Sequence, residues 1–172
     1  MKYKKENQII EIDYDSDLLN PLDFDCNIGT VALIRNNNIS GDETVSEKPE
    51  ADYILPVYML DHSGLKVNTT GFDCPWDSGQ IGWIYTTKDK LKELGVSESG
   101  VINILEAEIR IWSQYLEGDV YFYTKYELKK CDCCQHVEKE IVDSCGGFYG
   151  QNFKENGLFE QAGIDDTWQE KE

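Results

Sequence analysis

The sequence predicts an α+β fold: a mainly antiparallel sheet with one longer and one short helix inserted between strands. Three observations carry this. Several short stretches alternate apolar with polar residues, the pattern of half-buried strands. One longer segment, over residues 100–117, repeats apolar residues at three- and four-residue steps, as an amphipathic helix does. Strands come first, then helices, then strands again, without the repeated strand–helix–strand alternation that a parallel sheet requires. A chain of 172 residues can bury a sizeable core. One domain is expected over residues 1–150, with an acidic extension over 151–172.

Residues 1–8 are polar and lysine-rich, so the first strand is expected at Ile9–Tyr14, where Ile10, Ile12 and Tyr14 alternate with Glu11 and Asp13. Ile28–Arg35 reads as a second, mostly apolar strand, and Asn36-Asn37-Asn38 with Gly41 opens a loop that runs to Glu50. Tyr53–Leu60 and Leu65–Thr69 flank the turn Asp61-His62-Ser63-Gly64 and predict a hairpin. Pro56 restricts its first strand to an edge or a bulge. The segment Gly71–Gln80 is loop-like, and Ile81–Thr86 has the β-branched and aromatic content of a strand. Thr87 is placed to cap a short helix over Lys88–Leu94 that Gly95 closes. Ser97 or Ser99 precedes the longer helix, Gly100–Glu117, and Gly118 ends it. Asp119–Leu128 and Val137–Val142 read as a second hairpin with a cysteine-rich tip, followed by a turn at Gly146–Gly150.

Charge narrows the function classes. With 33 Asp and Glu against 16 Lys and Arg the formal charge is −17, which argues against direct nucleic-acid binding, because that needs clustered cations to neutralise phosphates. A hydrophobic content of 40% places the acidity on a chain that folds. No apolar run approaches 18 residues and no secretory segment follows Met1, so a soluble, cytoplasmic protein without membrane contact is expected. The acidic residues thicken at Asp13, Asp15, Asp17, Asp23 and Asp25, after Glu11 and with no Lys or Arg between them, and again at Glu155, Glu160, Asp165, Asp166, Glu170 and Glu172. Such runs serve either as a solvated, solubilising face or as a surface for a basic partner.

Two groups invite chemistry. Cys74 with His62 and Asp77 has the residue types of a thiol nucleophile, its base and the group that orients the base. Asp, His, Ser and Gly are equally the residues of an ordered turn, and in that reading Trp76 anchors the loop. Cys131, one of Cys133 or Cys134, His136 and Cys145 offer a four-ligand zinc set. Only Cys131 and Cys134 have the usual C-x₂-C spacing, and free thiols at a hairpin tip are the alternative.

Three stretches resemble a widespread family of proteins carried by phages and related mobile elements. They are Asn27-Ile28-Gly29-Thr30 with Ser40-Gly41-Asp42; Leu55-Pro56-Val57-Tyr58 with Asp61-His62-Ser63-Gly64 and Cys74-Pro75-Trp76-Asp77-Ser78-Gly79-Gln80-Ile81-Gly82; and Gln114-Tyr115-Leu116 with Gly118-Asp119, Asp143-Ser144-Cys145 and Phe148-Tyr149-Gly150. The chain departs from the pattern at Gly146, where the family usually has Trp, and at Ser113, where it has an acidic residue. The resemblance implies a phage-borne accessory protein and supplies no mechanism. In that setting the acidity suggests a nucleic-acid mimic that inhibits a host defence system, such as CRISPR or restriction, through the basic groove of a nuclease or effector. The alternatives are a small cysteine-dependent enzyme using Cys74 and His62, and a zinc-stabilised binding module.

Overall fold

The computed structural model describes residues 1–34, 39–131 and 133–171. The expected Asn36–Asn38 loop, Arg35, Asp132 and Glu172 therefore lie outside the described residues. The fold is α+β, as the sequence predicts; among the described residues it has two sheets, three α-helices and antiparallel pairing except at one short parallel pair. The chain divides into two compact units, residues 1–18 with 118–172 and residues 19–117, where the sequence reading placed one domain over 1–150.

The first unit is built on β1 (Lys2–Lys5), β2 (Gln8–Tyr14), β8 (Val120–Lys130), β9 (Val137–Tyr149) and β10 (Gln169–Lys171), in the order β10-β1-β2-β8-β9. Ile10 and Ile12 on β2 and Tyr121 and Tyr123 on β8 are buried on one face. That face is covered by the segment expected to be an extension. Phe153 ahead of the short helix α3 (Leu158–Ala162), Leu158 and Ala162 within it, and Trp168 before β10 complete the same core. Residues 151–172 are thus an integral part of this unit, which corrects the expected tail: their apolar side chains are spaced to reach the sheet, and β10 then pairs with β1. Burial of this kind stabilises by about 25 cal/mol per Å² of apolar surface.

The second unit holds β3 (Thr30–Leu33), β4 (Glu43–Thr44), β5 (Tyr53–Asp61), β6 (Leu65–Asn68), β7 (Ser78–Thr86), α1 (Lys88–Glu93) and α2 (Val101–Glu117). Its sheet runs β4-β3-β7-β5-β6. β6 pairs only with Tyr58–Asp61, so Pro56 lies on a stretch of β5 paired with β7 alone, and the register shifts just after it, between Val57 and Tyr58. Val101, Leu105, Ile109 and Trp112 form the buried stripe of α2 and pack with Val31, Leu33, Val57, Val67 and Ile84. Thr87 caps α1 as expected, its side chain accepting from the Lys90 N–H.

Small residues hold the strands at close range. A Cβ on Gly82 would lie 2.0 Å from the Ala32 carbonyl oxygen and 2.9 Å from Leu33 Cα, both backbone atoms of the paired strand β3. Gly82→Ala is expected to force β3 and β7 apart and destabilise the chain by about 3 kcal/mol or more, read as a lower midpoint in urea denaturation. In the first unit Lys139 (2.8 Å) and Lys2 (3.1 Å) both reach the Glu11 carboxylate, and Lys139 contributes most to holding its pKa below the ordinary 4.5. The unfolded chain binds this proton more readily than the folded one. Stability from Glu11 is therefore complete above the ordinary value and is lost as pH falls through the lowered one. Glu11→Gln is expected to flatten that acid limb in a series of denaturation curves across pH.

Candidate functional site

The turn between β5 and β6 and the loop before β7 meet at a hydrogen-bonded pair. His62 Nδ1 lies 3.0 Å from Asp77 Oδ2, and the Asp61 N–H donates to the Asp77 carbonyl at 2.8 Å. The Cys74 thiol donates to the same Asp77 oxygen at 3.6 Å, and Ser78 Oγ donates to the Cys74 carbonyl at 2.6 Å. The three residues proposed for thiol catalysis are thus brought together, but in the wrong order. A cysteine nucleophile needs its base beside the sulfur, with the carboxylate behind the base. Here one carboxylate oxygen takes the contacts of both thiol and imidazole, so Asp77 orders the loop.

Trp76 corrects a second expectation. It is 92% exposed and anchors nothing. It stands instead beside an open cleft of about 490 Å³, lined also by Met59, Asp61, Asp77, Gln80 and Ile81. An indole left in water next to two carboxylates is a surface suited to a cationic side chain. Residue composition alone did not separate an anchoring Trp from a displayed one.

The acidic residues fall into two groups. Some are tied to backbone donors. Asp15 accepts from the Gly147 and Asp17 N–H groups, both at 3.0 Å. Asp165 accepts from the Thr167 N–H at 2.9 Å and pairs with Lys5 at 3.7 Å. Glu11, expected to be uncompensated, is paired with two lysines that the sheet brings in from β1 and β9. The others stand open: among the described residues no Lys, Arg or His nitrogen lies within 4.0 Å of the carboxylates of Asp13, Asp17, Asp23, Asp25, Glu155, Glu160 or Asp166. Asp13 and Asp17 belong to the first unit and Asp23 and Asp25 to the second, so the run that is continuous in sequence is divided between them.

The motif residues quoted above are occupied with the fold. Asn27 Nδ2 donates to the Pro21 and Leu22 carbonyls (2.7 and 3.2 Å), and the Ile28 and Gly29 N–H groups donate to the Glu108 carboxylate (2.8 and 2.9 Å). The Val31 N–H donates to Asp42 (2.6 Å). Burial raises the pKa of both Glu108 and Asp42, outweighing these bonds. At Ser113 the hydroxyl accepts from the Val67 N–H at 3.0 Å, closing the open edge of β6, and donates to Glu117. At Gly146 a side chain would collide with Asp15 Oδ2, 2.4 Å from a built Cβ.

At the tip of the β8–β9 hairpin the thiols of Cys131, Cys133 and Cys134 lie within 4.8 Å of one another and can hold a metal ion. The expected set of Cys131, Cys134, His136 and Cys145 is not assembled. Cys145 pairs with Tyr123, while the ladder ends at Lys130 and Val137, which puts it about 25 Å along the strand from the tip. His136 lies outside the group of thiols, and Cys133 takes its place. The Cys133 thiol and the backbone N–H groups of Cys134 and Cys133 stabilise the Cys131 thiolate, holding its pKa down to about 6, while Cys131 pushes the Cys133 thiol up.

Comparison with protein-family models, with curated proteins and with solved structures returned no match. The reading of function therefore rests on geometry and charge.

A thiol with a pKa of about 6 is mostly thiolate at neutral pH. Limited iodoacetamide at pH 7, followed by peptide mass mapping, is expected to modify Cys131 before Cys74. Preferential reaction at Cys74 would instead restore the thiol-enzyme reading.

Proposed function

We propose that this protein works by binding a strongly basic protein surface, acting as an acidic stand-in for nucleic acid. The observation that carries the reading is the set of open carboxylates, Asp13, Asp17, Asp23, Asp25, Glu155, Glu160 and Asp166, none with a cation within 4.0 Å among the described residues. A fold that needed these charges for its own stability would pair them or give them backbone donors, as it does for Glu11, Asp15, Asp42 and Glu108. Together with a charge of −17, they provide the long-range attraction that speeds encounter with a cationic groove. Trp76 beside Asp61 and Asp77 adds a place for an arginine or lysine of the partner to stack.

The partner class that fits is a nuclease or effector whose groove normally receives phosphates; in this reading the partner belongs to a host defence system such as CRISPR or restriction and is met in the host cytoplasm. Among the described residues no helix is long and apolar enough to cross a membrane. A second reading, a zinc-stabilised binding module, is favoured by the three thiols at the hairpin tip, with zinc drawing its fourth donor from water or a neighbour.

The test is binding of the full chain to purified host nucleases and defence effectors at low and raised salt, with duplex DNA as competitor. Affinity is expected to fall by about tenfold or more on going to high salt and again on changing Asp13, Asp17, Asp23 and Asp25 together to Asn, mostly through the association rate. Trp76→Ala is expected to raise the dissociation rate. Absence of binding at low salt, or binding indifferent to both salt and the Asn changes, would overturn the reading.

A further inference from the structure

The hairpin tip is shaped for more than a turn. The β8–β9 ladder ends at Lys130 and Val137, and the Cys131 N–H carries the pairing one step further by donating to the His136 carbonyl at 2.8 Å. The Gln135 N–H then donates back to the Cys131 carbonyl at 2.9 Å, with Gln135 in the left-handed region at φ 62°. A loop closed this tightly folds its first, third and fourth residues together, and all three are cysteines. Cys131 and Cys133 have their sulfurs 3.0 Å apart, and the three sulfurs lie within 4.8 Å of one another.

These distances are short enough for the three sulfurs to share one ion. A metal–thiolate bond of about 2.3 Å sets the sulfurs of a planar three-coordinate ion about 4.0 Å apart. Cys131 and Cys133, 3.0 Å apart, would open by about 1 Å to take an ion, and no sulfur of the group lies more than 4.8 Å from another. The donors are three sulfurs, with no imidazole or carboxylate oxygen in the group among the described residues. Soft thiolates select soft ions, and a closed-shell monovalent ion is satisfied by three of them, whereas zinc would need a fourth donor from outside the three thiols.

We propose that Cys131, Cys133 and Cys134 form a three-thiolate site for a soft monovalent metal ion, Cu(I) being its natural occupant. Each ligating sulfur that still carries a proton releases it to water, and no electron is transferred. The site is independent of the open carboxylates, so it stands or falls apart from the partner reading.

The test is a titration of the reduced full chain with Cu(I), without oxygen and against a Cu(I)-specific chelator of known affinity. Expected results are one ion retained per chain, a thiolate-to-copper charge-transfer band in the ultraviolet, and three sulfur scatterers by X-ray absorption. Loss of a ligand costs at least what loss of a supporting neighbour does, so Cys133→Ser and Cys134→Ser should each weaken retention by about tenfold or more. Cys74→Ser, Cys145→Ser and His136→Ala should leave it unchanged, and circular dichroism of every variant reports whether the fold is intact. Failure to retain copper against the chelator, or retention that survives Cys133→Ser, would overturn the proposal. So would a titration with Co(II) giving tetrahedral ligand-field bands that vanish in His136→Ala, since that outcome assigns a four-ligand zinc-type site.

Discussion

A carboxylate drawn largely out of water must be given donors, and in the second unit that constraint organises the surroundings. Glu108 projects from α2 and receives the N–H groups of Ile28 and Gly29 just before β3 begins. Lys90 of α1 completes the arrangement from the other side, its Nζ donating to the Gly29 carbonyl at 2.9 Å and to Thr30 Oγ1 at 3.2 Å. One short segment is thereby fixed to both helices, which sets where β3 lies and hence where β7 and β5 can pair. The price is paid in sequence freedom. A Cβ at Gly29 would stand 2.4 Å from Glu108 Oε2 and 2.6 Å from Ile84 Cδ1, so a side chain there would have to displace both. Two backbone donors do not outweigh the desolvation of the carboxylate, which is why its pKa rises.

The same logic separates what was legible in the sequence from what was not. The α2 stripe, the alternation of β2 and the hairpin around Asp61–Gly64 are local patterns, and local periodicity reads them directly. β1 is invisible to that reading because Lys2–Lys5 carry three lysines, and the strand exists through its pairing with β2 on one side and β10 on the other. The C-terminal segment hid for a related reason. Phe153, Leu158, Ala162 and Trp168 are too far apart to form a periodic run, and each is buried only because the sheet of a distant stretch is there to receive it. Acidic residues between them dominate the composition and mask the core.

Site geometry was readable to the extent that it is local. The pairing of His62 with Asp77 follows from a hairpin turn and the loop after it, both evident in the sequence. The order of contacts around Asp77 is a matter of ångströms and rotamers, and it is not the order of a catalytic triad although all three residue types are present. Cys145 was excluded from the metal set by register. Once β8 and β9 pair, each residue of separation adds about 3.3 Å, and no turn can return a side chain from opposite Tyr123 to the tip. Ligand lists drawn from spacing alone fail wherever a regular strand lies between the candidates.

The net charge of −17 therefore has two components with different consequences. Carboxylates such as Glu108, Asp42, Asp15 and Glu11 are held by backbone donors or lysines and belong to the fold. The open carboxylates repel one another and gain nothing from the folded state that the unfolded chain lacks, so their contribution to stability is zero or negative. Salt screens both components unequally, weakening the exposed repulsion much more than the half-buried bonds. Rising ionic strength should then stabilise the isolated chain while it weakens attachment to a basic partner. Those opposite responses of one set of residues follow when surface acidity is retained for binding. A solubilising face would give the first response without the second.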